Sequence, residues 1–212
     1  MKLNAPQQQA IHYLGGPLFV LAGAGSGKTR VITEKIVYMI TKAGYLPHNI
    51  AAITFTNKAA KEMQQRLSAM LPKNKMRGLT VCTFHSLGMR ILREEAPNIG
   101  YKKNFSILDA TDSSKVINEL LGSTGREALF KAQHQISLWK NDLKTPEQVL
   151  QVAKNEWERQ IASVFASYQS TLQSYQAVDF DDLIRLPALL LQQSSEVRHK
   201  WQLRLRYLLV DE

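Results

Sequence analysis

Residues 17–31 read PLFVLAGAGSGKTRV, and the fold turns on how they are understood. The apolar run 17–23 is short and stopped by glycine, the pattern of a strand buried on both faces. Gly23, Gly25 and Gly27 let the backbone curl so that successive N–H groups point inward at a phosphate chain. Ile32, Ile36 and Ile40 then recur every fourth position, a helix ending near Gly44 whose N-terminus adds the positive end of its dipole. Strand, glycine loop and helix together are the context that a P-loop requires, which a mere glycine-rich turn lacks. Ala22, Gly23, Ala24, Gly25, Ser26 and Gly27 form the expected cradle, with Ala22 where the strict pattern has glycine. Lys28 is expected to reach the β- and γ-phosphates, and the Thr29 hydroxyl to hold Mg2+.

Working outward, NIAAITF (49–55) and LTVCTF (79–84) read as further strands. Between them Ala59, Met63, Leu67 and Leu71 share one helical face, closed by Pro72. This alternation predicts an α/β fold, a parallel sheet with right-handed crossovers and helices on both faces. From 85 to 193 nearly everything reads as helix, apart from a short FSILD (105–109). In KTPEQVLQVA, Thr145, Pro146 and Gln148 form a capping box. The sheet signal returns only with RYLLVDE (206–212). The expected division is therefore 1–84 plus 194–212 as one domain, with 85–193 as a mostly helical insertion.

RYLLVDE delivers two carboxylates to the end of an apolar strand. In P-loop enzymes such an acid holds magnesium while the next carboxylate polarises water for attack on the γ-phosphate. Asp211 and Glu212 are expected in those roles. A catalytic base as the last residue leads to the expectation of a shortened piece, cut inside the second nucleotide motif.

Hydrophobic residues make up 44% of the 212 and charged residues 21%, ordinary for a globular protein. No apolar run is long enough to span a bilayer, the N-terminus lacks a signal-peptide core, and no membrane partner is expected. Cys82 alone permits no internal disulfide, which fits the cytoplasm. The net charge of +9 suits a polyanionic partner, although many basic proteins bind none. A GTPase is excluded because TNKAA (56–60) has Ala60 where guanine recognition needs aspartate. A small P-loop phosphotransferase resembling a nucleotide kinase, or a non-catalytic ATP-binding module, stays open on the residues alone.

Six stretches in order, LNAPQQQA, AGAGSGKTR, TFTNKAAKEM, TFHSLG, DFDDL and the final VDE, resemble the UvrD/Rep group of superfamily 1 DNA helicases across the whole chain. WKNDLKTP (139–146) resembles the Rep side of that group. The likeness implies a RecA-like motor domain (subdomain 1A) interrupted by a helical subdomain (1B). It implies the front part of an ATP-dependent 3′–5′ helicase that translocates on single-stranded DNA, opens forked duplex, and serves replication, restart or repair. By the same likeness Gln7 reads the adenine edge and Arg30 packs on the base. Thr54, Phe55, Thr56 and Asn57 would grip single-stranded DNA, with Phe84 and His85 in a second DNA motif. A second motor domain would supply an arginine finger, so this piece is expected to bind nucleotide and DNA weakly, to hydrolyse ATP negligibly and not to unwind; it is also expected to be monomeric.

Simpler roles compete at several positions. Phe55 and Phe84 sit at strand ends, where an aromatic serves a core as readily as a base platform. His85 alone could be structural. Asp179, Asp181 and Asp182 suggest a metal site but read more simply as helix caps and dipole partners. Trp139, Trp157 and Trp201 read as packing, and Cys82 as buried and inert.

Overall fold

The computed structural model describes residues 3–122 and 125–211. The chain forms, in order, α1 (Ala5–His12), α2 (Lys28–Thr41), β1 (Ile50–Thr54), α3 (Asn57–Met70), α4 (Lys73–Met76), β2 (Thr80–Thr83) and α5 (Phe84–Glu95). There follow β3 (Ser106–Ile107), α6 (Ala110–Leu120), α7 (Arg126–Asn141), α8 (Pro146–Val152), α9 (Glu156–Ser174), β4 (Ala177–Val178), α10 (Asp182–Gln193), α11 (Ser195–Arg204) and β5 (Tyr207–Asp211). Two compact units result, 1–84 with 199–212, and 85–198.

The first unit is α/β. Its sheet is parallel, in the order β2-β1-β5, with Ala52 opposite both Val81 and Leu209. All five residues of β1 are buried, as a central parallel strand demands. Ile50 and Ala52 of β1 and Leu209 of β5 pack with Ile36, Met39 and Ile40 of α2 and with Met63 and Leu67 of α3. Thr56 caps α3, its hydroxyl accepting from the Ala59 amide at 3.1 Å. Leu71 ends α3 in extended backbone, and Pro72 follows.

One expected strand is absent. Residues 17–23 have no strand structure, and Phe19 and Leu21 are 83% and 84% exposed. The physical reason lies in the sheet. β2 and β5 are its two edges, and no described strand pairs with 17–23. An extended segment lacking a ladder partner leaves its amides and carbonyls to solvent, whatever its apolar content.

The second unit is largely helical. Ile136 and Trp139 of α7 pack with Val149 of α8 and with Ile161, Phe165, Tyr168 and Leu172 of α9. Thr145 and Gln148 make the expected capping box, and Asn155 and Asp109 cap α9 and α6. β3 pairs in parallel with β4, a strand the sequence reading missed because it is two residues long. Trp139 and Trp201 are buried as expected for packing, whereas Trp157 is exposed. No helix of the described residues is long and apolar enough to cross a membrane.

Candidate functional site

The loop after residue 21 bends through left-handed backbone at Gly25 (φ +75°) and Gly27 (φ +84°), conformations that only glycine adopts without strain. Gly27 is the N-cap of α2, and among the described residues no side chain caps this helix. Its first-turn amides therefore face the loop as donors for an anion. Lys28 folds back over the loop, its ammonium donating to the Ala22 carbonyl at 2.8 Å and the Gly23 carbonyl at 3.4 Å. A cation held by neutral carbonyls is easily drawn away by phosphate oxygens, to which its bonds are charge-assisted at both ends.

Thr29 and Asp211 come together. The threonine hydroxyl donates to the Asp211 carboxylate at 2.7 Å. Thr29 sits there because α2 starts at Lys28, and Asp211 because β5 runs parallel to β1 and ends level with Thr54. A hydroxyl and a carboxylate are the hard oxygen donors that magnesium selects, so the residues fit that ion and a triphosphate. Thr29 and Asp211 would hold the metal, and Lys28 and the loop amides the phosphates. Glu212, the expected catalytic base, lies outside the described residues.

Gln7 is built into a second capping box. Its side-chain carbonyl accepts from the Asn4 amide at 3.0 Å, while its own backbone amide donates to the Asn4 side-chain oxygen at 2.9 Å. Its carboxamide NH2 donates to the Ser26 carbonyl at 3.0 Å. The adenine-reading candidate is thus wired to the P-loop. Asn-x-x-Gln is the signal that could have shown the cap in advance. Lys35 of α2 clamps this helix by donating to the Ala10 carbonyl at 2.8 Å and to that of Tyr13, and burial pushes its pKa down. Arg30 lies 3.8 Å from Glu34 and is partly exposed.

The candidate DNA residues separate by burial. Thr54 is fully buried, and its hydroxyl donates to the Thr56 carbonyl at 3.1 Å. It does not offer that group outward, contrary to expectation. The pleat sends Ile50, Ala52 and Thr54 to one side, the face packed by α2 and α3. Phe55, by contrast, is 68% exposed and meets half-buried Phe84 edge-to-face at 6.0 Å. Thr56 and Asn57 are exposed at the start of α3. A hydroxyl that accepts from a capped amide can still donate to a phosphate. In the second unit His85 lies against Phe180, ring centroids 5.3 Å apart.

Asp179 and Asp182 are neither metal ligands nor simple caps. Lys140, fully buried, donates to Asp179 at 2.6 Å and to Asp182 at 3.0 Å, occupying the place a metal would take. Tyr168 donates its hydroxyl to Asp179 at 2.9 Å, and the Asp182 amide caps onto Asp179 at 2.9 Å. Arg185 reaches Asp182 at 3.4 Å. Burial alone would raise the Asp179 carboxyl, but the Lys140 charge and these hydrogen bonds bring it below the usual range. At Asp182 burial prevails over Lys140 and holds the carboxyl above that range. Burial likewise pushes the Tyr168 phenol up. Asp181 opens α10 without a side-chain cap bond.

The model of the UvrD/REP helicase N-terminal domain family matches residues 3–212. The chain is 48% identical to the ATP-dependent DNA helicase Rep of Salmonella typhimurium and 49% identical to that of Escherichia coli, over 100% of its length and 32% of theirs. It is 41% identical to the ATP-dependent DNA helicase PcrA of Leuconostoc citreum, over 99% of its length and 29% of that protein's. The chain thus spans about a third of the length of the curated relatives it matches.

Proposed function

The chain belongs to the UvrD/REP helicase N-terminal domain family, and on that premise we propose that it forms the ATP- and magnesium-binding face, and part of the DNA surface, of a 3′–5′ helicase motor. The observation that carries this reading is the 2.7 Å bond between Thr29 and Asp211, which are 182 positions apart. Only a fold that brings the P-loop helix to the end of β5 makes a shared magnesium-bound nucleotide possible. Gln7 and Arg30 flank the same loop and take the adenine. Lys28 and the amides of residues 22–29 take the phosphates, and Glu212 orients the attacking water. When bound, magnesium neutralises charge on the transferring phosphoryl group.

Residues 1–84 with 194–212 serve as the RecA-like motor domain, and the helical block 85–193 as its insertion, a border five residues before that of the compact units. Phe55, Thr56, Asn57, Phe84 and His85 contact single-stranded DNA ahead of a fork. Thr54 supports Thr56 from beneath. The longer protein works in the cytoplasm on the nucleoid, in replication, its restart or repair. Family membership sets aside the metabolite phosphotransferase.

A fluorescent ATP analogue titrated with and without magnesium tests the reading. Lys28→Ala should abolish binding, and Asp211→Asn should remove its magnesium-dependent part. Equal, magnesium-independent binding by all three proteins would overturn it.

A further inference from the structure

The ion network around Lys140 is larger than a helix cap needs. Lys140 and Asp182 are fully buried, and Asp179, Arg185 and Tyr168 nearly so. Taking such groups out of water is costly, and apolar residues of similar volume usually hold a core as well or better. The network must therefore be read by what it fixes. It ties α7 (Lys140), α9 (Tyr168) and the first turn of α10 (Asp182) to the turn at 179–181. Phe180, between the anchored carboxylates, is 57% exposed, and its ring rests on His85.

A second contact lies one helical turn along. A Cβ added at Gly88 of α5 would fall inside contact distance of the Leu183 carbonyl oxygen of α10. Residues 85 and 88 share a face of α5, as 180 and 183 follow one another into α10. The start of α5 is thus seated on the start of α10 at two points, and Lys140 holds the start of α10.

We propose that Lys140, acting through Asp179 and Asp182, is the positioning residue for the His85–Phe180 ring pair. The consequence for DNA binding rests on the reading of His85 given above. Held at this angle, the two rings present one edge to a nucleobase. Released, the 179–182 turn rotates and His85 loses its support.

The test uses the 212-residue chain with labelled histidine, its His85 ring signals assigned through His85→Gln and the Phe180 ring-current displacement through Phe180→Leu. The triple variant Lys140→Met, Asp179→Asn, Asp182→Asn removes Lys140 and its two carboxylates together and leaves Arg185 its bonds to Gln169 and the Lys144 carbonyl. Tyr168→Phe removes one hydrogen bond and keeps the fold if the triple variant does not. The expected result is folded protein whose His85 signals move toward their Phe180→Leu positions, fully in the triple variant and partly in Tyr168→Phe. Oligo-dT affinity should fall at least about fivefold in the triple variant, with no further loss when His85→Ala is added. Folded variants with unmoved His85 signals would overturn the proposal, and Tyr168→Phe alone decides if the triple variant unfolds. Unchanged oligo-dT binding by His85→Ala would instead refute the DNA role of His85, leaving the ring signals to decide positioning.

Discussion

At the scale of single residues the nucleotide site is poised against itself. Thr29 and Asp211 are bonded to each other, and Lys28 to its own loop, so ligand binding exchanges bonds rather than filling an inert hole. Thr29→Ser keeps the hydroxyl and should bind nucleotide with magnesium as the parent does. Thr29→Val removes an oxygen that contacts charge, worth about 1.5–3 kcal/mol, so the magnesium-dependent affinity should fall at least about tenfold in the same titration. The two buried carboxylates beside Lys140 offer a prediction of opposite signs. Asp179 is depressed in the folded state, so its contribution to stability is full above the ordinary value of 3.8 and is lost as pH falls through its folded pKa. Asp182 is raised, so ionising it costs stability as pH climbs from 3.8 through its folded pKa. Urea unfolding at neutral pH should show Asp179→Asn destabilised by about 3 kcal/mol, with the gap closing in acid. Asp182→Asn should be destabilised less than Asp179→Asn in the same measurement, because burial opposes the ionised form it replaces.

At the scale of elements, legibility followed the range of the interaction that decides each one. α2 and α3 were plain from Ile36, Ile40, Met63 and Leu67, and α8 from the Thr145 capping box, because four-residue periodicity and caps are local. β1, β2 and β5 were legible as apolar runs. Residues 17–23 carry the same signal and misled, since a strand exists only where a neighbour pairs with it, and that condition is not written in the segment itself. The P-loop was legible for the opposite reason: glycines and a following helix are a local device. Thr54 was misplaced because motif membership says nothing about which side of the pleat a residue takes. The Lys140 network was out of reach because its partners lie 39 and 42 positions away and a buried lysine has no periodic mark. The contrast between strands is measurable by hydrogen exchange. Amides of β1, paired on both sides, should be protected close to the global unfolding limit, while those of residues 18–22 should exchange within about tenfold of the unfolded-chain rate.

At the scale of the whole molecule, charge and the share of the relatives' length that this 212-residue chain spans decide which activities to test in it. The relatives it matches are about three times its length. An arginine finger from a second motor domain is worth on the order of a thousandfold or more in rate. We expect the 212-residue chain to hydrolyse ATP at least about a thousandfold more slowly than such a relative, with or without DNA. DNA binding is the activity that should survive. The net charge of +9 makes the attraction to a polyanion long-ranged, but charge alone does not separate a motor's grip from nonspecific adhesion. Salt dependence and an aromatic deletion together do. If about three phosphates are engaged, log affinity for oligo-dT should fall against log salt with a slope near −2, about twentyfold between ~50 and ~200 mM. Phe55→Ala removes an exposed ring and no charge, so it should lower affinity about fivefold or more at every salt concentration and leave the slope unchanged. A variant line lying on the parent's would mean that Phe55 stacks on no base and that the positive charge alone holds the strand. A flat parent line would mean that no phosphates are gripped at all.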